Sequence, residues 1–193
     1  MHFEELKKYH FILASKSPRR QFLLKDLGLE FEVVSKEVDE SFPEDLKAEQ
    51  IPLYLCEKKA NAFDKELNYN TIVITADTIV WIGDKVLNKP ENYEDAVRML
   101  TLLSGKMHKV FTGVCLKSKE KVISFYAATN VYFKNLSPEE IEYYIRNFHP
   151  YDKAGAYGAQ EWIGYIAVEK IEGSYFNVMG LPLKELYEEL LKF

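Results

Sequence analysis

Hydroxyl and cationic side chains are concentrated between a short apolar run and a helical pattern near the start of the chain. They are Ser15, Lys16, Ser17, Arg19 and Arg20. Pro18 is typical of the first turn of a helix, and Ser17 is expected to cap that helix. The amides of a helix N-terminus bind anions, and arginine matches phosphate oxygens bidentately. The pattern therefore indicates a phosphate site, and a solvated first turn whose arginines pair with acids elsewhere is the alternative.

A carboxylate interrupts the most apolar segment of the chain. Asp77 lies within TIVITADTIVWI, residues 71–82, whose β-branched composition predicts a central strand pair or one long bent strand. Because an unpaired buried carboxylate is costly, Asp77 either pairs with a lysine or caps a loop, or it serves as a metal ligand or general base. Glu40 would supply a second carboxylate, and Lys89 follows a turn that returns toward Asp77. Two carboxylates near a hard cation are typical of phosphoryl chemistry.

A segment rich in glycine and alanine, YDKAGAYGAQ over residues 151–160, allows close approach of its backbone. Gln160 ends this segment with an amide that both donates and accepts hydrogen bonds, which suits the imide edge of a base. A tight turn packed under the sheet is the alternative, and this segment alone does not decide between them.

The composition limits the classes of function. The 193 residues carry a net charge of −5 and a pI near 5.5, which argues against a general duplex-binding protein. The two cysteines are far apart in apolar contexts, so no disulfide is expected and a reducing compartment is indicated. No apolar run approaches the roughly 18 residues of a membrane span, and the charged N-terminal segment is unlike a signal peptide. We therefore expect a cytoplasmic protein with no membrane partner.

Helical and strand patterns are mixed along the whole chain, which predicts an α/β or α+β fold with a curved mixed β-sheet. The segment from Ser137 shows a helix start with a hydroxyl cap, proline and two acids. The other predicted strands span 11–14, 31–34, 109–116, 122–133 and 165–171, and the other helices span 52–66, 93–103 and 182–192.

Six segments in order along the chain carry a resemblance to one family. They are LASKSPRR (13–20), EVDES (37–41), ADTIV (76–80), SGKMHKVFTGV (104–114), DKAGAYGAQ (152–160) and GSYFNVMGLPL (173–183). Together these segments resemble the Maf-type nucleoside triphosphate pyrophosphatases over almost the full length.

The resemblance implies a fold and an activity. It implies an α/β fold with flanking helices and two lobes around a cleft, related to the inosine triphosphate pyrophosphatases, in one domain over residues 1–193. It also implies hydrolysis of a nucleoside triphosphate to the monophosphate and pyrophosphate with Mg²⁺ or Mn²⁺, a house-cleaning activity. Family members are often dimers, so a homodimer is one expectation.

The resemblance also assigns roles to individual residues. Asp77 corresponds to the proton acceptor. The positions of the phosphate cradle fall on Ser15, Arg20, Glu40, Lys59 and Lys89, and a slip of one residue from Lys59 to Lys58 is the alternative. The metal role of Glu40 and Asp77 rests on their carboxylates. The specificity positions fall on Arg19, Thr78 and Gln160, and the motifs around them resemble the dTTP/UTP subgroup rather than the 7-methyl-GTP subgroup.

A regulator of septum formation that binds a nucleotide without essential turnover is the competing hypothesis. A pure binder has no use for a carboxylate beside phosphates, so Asp77 and Glu40 together favour an enzyme. His108, although it lies in a family motif, is interpreted as a structural histidine.

Overall fold

The computed structural model describes residues 3–193. Met1 and His2 lie outside the described residues. They begin the charged segment that is unlike a signal peptide. The helices are α1 (Phe3–Leu6), α2 (Pro18–Asp26), α3 (Gln50–Asn61), α4 (Tyr93–Leu103), α5 (Pro138–Phe148), α6 (Trp162–Ala167), α7 (Tyr175–Val178) and α8 (Leu183–Leu190). The strands are β1 (His10–Leu13), β2 (Phe31–Val33), β3 (Thr71–Ile82), β4 (Lys85–Leu87), β5 (Met107–Lys117), β6 (Val122–Phe133) and β7 (Val168–Glu172).

The strands form one mixed sheet, which confirms the predicted α/β class. Its order is β2-β1-β3-β5-β6-β7, and β4 pairs with β3. Strand β1 is parallel to both β2 and β3, whereas the β3–β4 and β6–β7 pairs are antiparallel. The segment 71–82 is therefore one long strand rather than a strand pair.

The chain separates into two compact units. The first comprises Met1–Asp77, Thr112–Ala127 and Gly180–Phe193, and the second comprises Thr78–Phe111 and Ala128–Met179. The core of the second unit includes Leu100, Val131 and Ile163. In the first unit, one apolar cluster joins Ile12 to Val73. The expected single domain over residues 1–193 stays a prediction.

Two sequence predictions of local structure were wrong in part. The segment 165–171 was expected to be a strand, but its first residues end helix α6, on which Ile163 and Ala167 are buried one turn apart. A short apolar run does not distinguish a strand from a buried helix, because periodicity needs more residues to show. Helix α3 also ends at Asn61, earlier than residue 66.

The predicted start of helix α5 is confirmed in detail. The Ser137 hydroxyl accepts from the Glu140 amide, and the Glu140 carboxylate accepts from the Ser137 amide, which together form a capping box. Ser17 stands at the N-cap of α2 as expected, but its side chain makes no capping hydrogen bond within the described residues. Its amide instead donates to Ser15 Oγ at 3.2 Å.

Both cysteines are free and buried, and although they are far apart in sequence they lie in one apolar cluster with Ala60. Among residues 3–193, no helix is long and apolar enough to cross a membrane.

Candidate active site

Polar side chains of the first unit meet where β1 and β2 end and where their parallel partner β3 continues past β1. Strand β1 pairs with β3 up to Leu13 and Ile74, and the Ala14 amide continues the pairing by donating to the Ile74 carbonyl. Ser15 therefore follows β1 at the same edge at which Asp77 follows Ile74. The loop that carries Glu40 follows β2, the other parallel neighbour of β1. Ligands of parallel sheets typically bind at this edge.

A lysine joins the two carboxylates of this edge. Lys59 Nζ lies 2.6 Å from Asp77 Oδ1 and 2.9 Å from Glu40 Oε1. The side chains of Asp77 and Lys59 are 13% and 17% exposed, and that of Glu40 is 51% exposed. Asp77 is thus a mostly buried carboxylate with a cationic partner, while Glu40 is open to solvent. This geometry brings together three residues that the sequence placed far apart.

Lys58 takes a different partner from Lys59. Its Nζ lies 3.0 Å from Asp39 Oδ2 and donates to the Ser41 carbonyl. Of these two neighbouring lysines it is Lys59 whose ammonium contacts Asp77.

Helix α3 is fixed against the sheet so that Lys59 reaches Asp77. The hydroxyl of Thr75, two residues before Asp77 on β3, donates to the Cys56 carbonyl at 2.7 Å, and Cys56 lies one helical turn before Lys59. The helix start also packs on Gly113 of β5. A Cβ at Gly113 would lie 2.5 Å from the carbonyl atoms of Pro52. Sequence reasoning missed Gly113, although a glycine inside a strand is a known sign of close backbone approach.

We expect Gly113→Ala to displace α3 and to lower turnover while the fold persists. The added methyl group meets backbone atoms, which cannot move aside without the whole helix. The expected cost is about 1–3 kcal/mol in the free energy of unfolding. Urea denaturation and pyrophosphate release would be measured together. Gly83→Ala is the comparison for the added methyl group, since a Cβ there meets nothing within 4 Å. Its φ of +52° strains an alanine, so this variant should lose some stability and keep wild-type turnover. Wild-type stability and turnover in Gly113→Ala would contradict the role of this contact.

Arg20 is held at the start of α2 by two groups of the first unit. Its Nε donates to the Gly180 carbonyl at 2.8 Å, and its Nη1 lies 3.5 Å from Ser15 Oγ. Burial lowers the pKa of Arg20, and the charges of Asp77 and Glu40 oppose that shift. Because a guanidinium keeps its charge in proteins, Arg20 remains a cation near two carboxylates. The Gly180 carbonyl belongs to the segment GSYFNVMGLPL, so a residue far in sequence from the segment 13–20 orients Arg20.

Ser15 is buried beside Arg20, and its hydroxyl oxygen accepts from the Ser17 amide and faces the guanidinium. A hydroxyl that accepts in this way still has its own proton to donate, so Ser15 suits a phosphate oxygen. Arg19 is half-buried on the same helix and contributes positive charge at Arg20.

The remaining sequence-predicted residues belong to the second unit. Thr78 is half-buried on β3, and Lys89 is exposed after β4. Gln160 is half-buried at the end of the segment 151–160. The Gly155 amide donates to the Asn88 carbonyl at 3.1 Å, which fixes the Lys89 loop to this segment.

His108 packs against the segment 151–160. Its Nε2 forms a hydrogen bond of 2.8 Å with the Tyr157 hydroxyl, and Phe133 packs edge-on against both rings. Burial lowers the pKa of His108 to about 3, so the imidazole is neutral at physiological pH. The imidazole therefore packs in the core of the second unit as a neutral group.

The pair of carboxylates fits a hard divalent cation. Glu40 and Asp77 contact the same ammonium, so their oxygens converge on one point. Across the part of the chain that the structure describes, no three histidine, cysteine or acidic side chains form a metal-binding group. Two carboxylates suit Mg²⁺, which usually keeps several waters and takes its other ligands from substrate phosphates.

Comparison with known proteins agrees with the motifs and the fold. The family model described as Maf-like protein matches residues 10–193. The chain is 54% identical over 187 residues to the dTTP/UTP pyrophosphatase of Flavobacterium johnsoniae, covering 97% of this chain and 96% of the relative. It is also 54% identical over 190 residues to the dTTP/UTP pyrophosphatase of Phocaeicola vulgatus, covering 98% of each.

A solved structure supports the fold alone. The Ham1 protein of Staphylococcus aureus aligns with a TM-score of 0.52 and 14% identity, over 93% of this chain and 99% of that chain. The match of the family model over residues 10–193, together with relatives of this identity over nearly the full length, shows that the chain belongs to the Maf-like protein family.

Proposed function

We propose that this protein is a nucleoside triphosphate pyrophosphatase that hydrolyses dTTP and UTP to the monophosphate and pyrophosphate. The observation that carries the proposal is the mostly buried Asp77 carboxylate, held by Lys59 beside Glu40 and close to Arg20. Such a group has a clear use in activating water and none in a passive binder. The relatives at 54% identity are named for this activity.

In this proposal Asp77 accepts the proton of the attacking water. The water oxygen forms a bond to the α-phosphorus as the bond from that phosphorus to the α–β bridging oxygen breaks. The bond's electron pair leaves with pyrophosphate, and the monophosphate stays with the new oxygen. Asp77 suits this role because its surroundings fix the direction of its carboxylate.

The cations bind the triphosphate. Arg20 offers a planar guanidinium, Lys59 an ammonium, and Ser15 a hydroxyl donor, all in the first unit. We assign a phosphate contact to Lys89 as well. These charges offset the triphosphate locally, in a chain whose net charge is −5.

Glu40 and Asp77 would hold a divalent cation, Mg²⁺ or Mn²⁺. When bound, the cation would withdraw charge from the phosphate oxygens and so favour attack by water. Asp77 would then combine the roles of ligand and base.

We assign base selection to Arg19, Thr78 and Gln160. The Gln160 amide presents an acceptor and a donor, which complement the N3–H donor and the O4 acceptor of uracil and thymine. Cytosine presents the reverse pattern, so discrimination against CTP is the feature to test.

The test measures pyrophosphate release from UTP, dTTP, CTP, ATP and GTP with Mg²⁺. We expect preference for UTP and dTTP in the wild type and a loss of about tenfold in the UTP-over-CTP ratio of kcat/KM in Gln160→Ala. Preference for a purine would overturn the substrate assignment. Nucleotide binding without pyrophosphate release would favour the regulatory hypothesis instead. The cytoplasmic location, the homodimer and the absence of nucleic-acid and membrane partners stay predictions.

A further inference from the structure

Gln160 discriminates uracil from cytosine only if its amide is held in one orientation. An amide that is able to turn over presents donor and acceptor in either order, and one of those orders fits cytosine. Base selection by this side chain therefore needs neighbouring groups that fix it. The second unit contains a network of hydrogen bonds and ion pairs beside Gln160, and the proposed function leaves this network without a role.

The network is centred on the Glu161 carboxylate, directly after Gln160. Its Oε2 accepts from the Tyr144 hydroxyl at 2.5 Å, and its Oε1 lies 3.0 Å from Lys153 Nζ. The Tyr144 hydroxyl oxygen in turn accepts from the Gly158 amide at 3.0 Å. One tyrosine on helix α5 thus contacts the backbone of Gly158 and the side chain of Glu161, the two residues that flank Ala159 and Gln160.

Two of these groups are buried, and the Glu161 side chain between them is 21% exposed. Tyr144 is fully buried and its ring stacks on Phe148, while Lys153 is buried although it is a lysine. Burial, reinforced by the Glu161 charge, raises the pKa of Tyr144, so its hydroxyl remains a donor at physiological pH. A buried lysine and a buried tyrosine on one carboxylate are costly to assemble, and they rigidify the segment once all partners are satisfied.

The side chains of Gln160 and Glu161 both pack over Gly158. A Cβ at Gly158 would lie 2.8 Å from Glu161 Cδ and 3.1 Å from Gln160 Nε2. Because Gly158 has no side chain, the Gln160 amide and the Glu161 carboxylate both fit against it. The Gln160 carbonyl also accepts from the Tyr165 hydroxyl at 2.7 Å, which fixes the main chain of the same residue.

We propose that Tyr144 is a positioning residue for base selection, which acts through Glu161 and Gly158 to hold the Gln160 amide in the orientation that fits uracil and thymine. This inference rests on the proposed function, and it names the residue that orients Gln160 for the choice between uracil and cytosine. Tyr144 itself contacts no substrate in this account.

The test compares the UTP-over-CTP ratio of kcat/KM in Tyr144→Phe, Gly158→Ala and Gln160→Ala. Tyr144→Phe removes the hydroxyl bridge, whereas Gly158→Ala keeps the Tyr144 hydroxyl and displaces the Gln160 amide and the Glu161 carboxylate by a steric route. We expect both to lower the ratio by about tenfold, chiefly by raising KM for UTP and by admitting CTP, with kcat for UTP nearly unchanged. A merely structural role would lower turnover on both nucleotides alike and leave the ratio unchanged.

Tyr132→Phe is the matched control, because the Tyr132 hydroxyl also donates to a carboxylate, that of Glu172, at 2.7 Å, on strand β6 of the same unit. It should keep the wild-type ratio. If Tyr144→Phe and Gly158→Ala keep the wild-type ratio while Gln160→Ala loses it, the positioning role is overturned and the proposed function stands. If Gln160→Ala also keeps the ratio, or the wild type shows no preference for UTP, base reading by Gln160 fails and the positioning role fails with it.

Discussion

Asp77→Asn should lose turnover by roughly 10²-fold or more, the contribution expected of a general base. The substitution keeps the size and shape of the side chain, but an amide cannot accept the proton of the attacking water. It also removes one of the two carboxylate charges that would hold the cation. Nucleotide binding should survive better than turnover, because Ser15 and Arg20 are unchanged. The measurement is steady-state pyrophosphate release alongside UTP binding by calorimetry.

Asp64→Asn is the matched control for this experiment. Asp64 also pairs with a lysine of the first unit, Lys117, but its side chain is 61% exposed. The control should keep wild-type turnover. Near-normal hydrolysis by Asp77→Asn would remove Asp77 from the chemistry and with it the proposed mechanism.

Lys59→Met should lower both turnover and stability. Methionine keeps the length of the side chain but leaves the Asp77 and Glu40 carboxylates facing each other without their shared ammonium. Because Asp77 is mostly buried, we expect the free energy of unfolding to fall by about 1–3 kcal/mol. This is less than the cost of breaking a fully buried ion pair, because Glu40 is exposed. Turnover should fall by about 10²-fold, since a phosphate-binding cation and an orienting contact are both lost.

The response to Mg²⁺ adds a second readout to Lys59→Met. If the two carboxylates bind the cation, millimolar Mg²⁺ should raise the Tm of Lys59→Met more than that of the wild type, in which the ammonium competes for the same oxygens. Lys58→Met is the matched control, because Lys58 pairs with Asp39 and should leave turnover unchanged. Equal effects of Lys58→Met and Lys59→Met would contradict the assignment of Lys59.

The sequence predicts the parts of this site whose signals are local. The helix start at Ser137 rests on contacts within four residues, so its capping box was predictable from residue types. Asp77 stood out because a carboxylate within a β-branched run needs a partner, and the structure supplies Lys59. The roles of these site residues in catalysis stay predictions.

Contacts between distant segments were not predictable in the same way. The Gly180 carbonyl orients Arg20, and Pro52 packs on Gly113. Each contact joins residues more than fifty positions apart, and the residue types of one segment do not indicate which other segment it contacts. The network of Tyr144 and Glu161 was missed for a related reason. A tyrosine at helical spacing is typical of a core residue, and only the structure shows that its hydroxyl reaches the Gln160 segment.

The measurement that tests the central claim most directly is the identity of the products formed from UTP with Mg²⁺ in water labelled with ¹⁸O. The account predicts pyrophosphate and UMP in equal amounts, with the label in UMP, because water attacks the α-phosphorus. Formation of orthophosphate and UDP, or label in pyrophosphate, would show attack at another phosphorus and would contradict the mechanism. Absence of any product from a folded protein that binds UTP would contradict the enzymatic function itself.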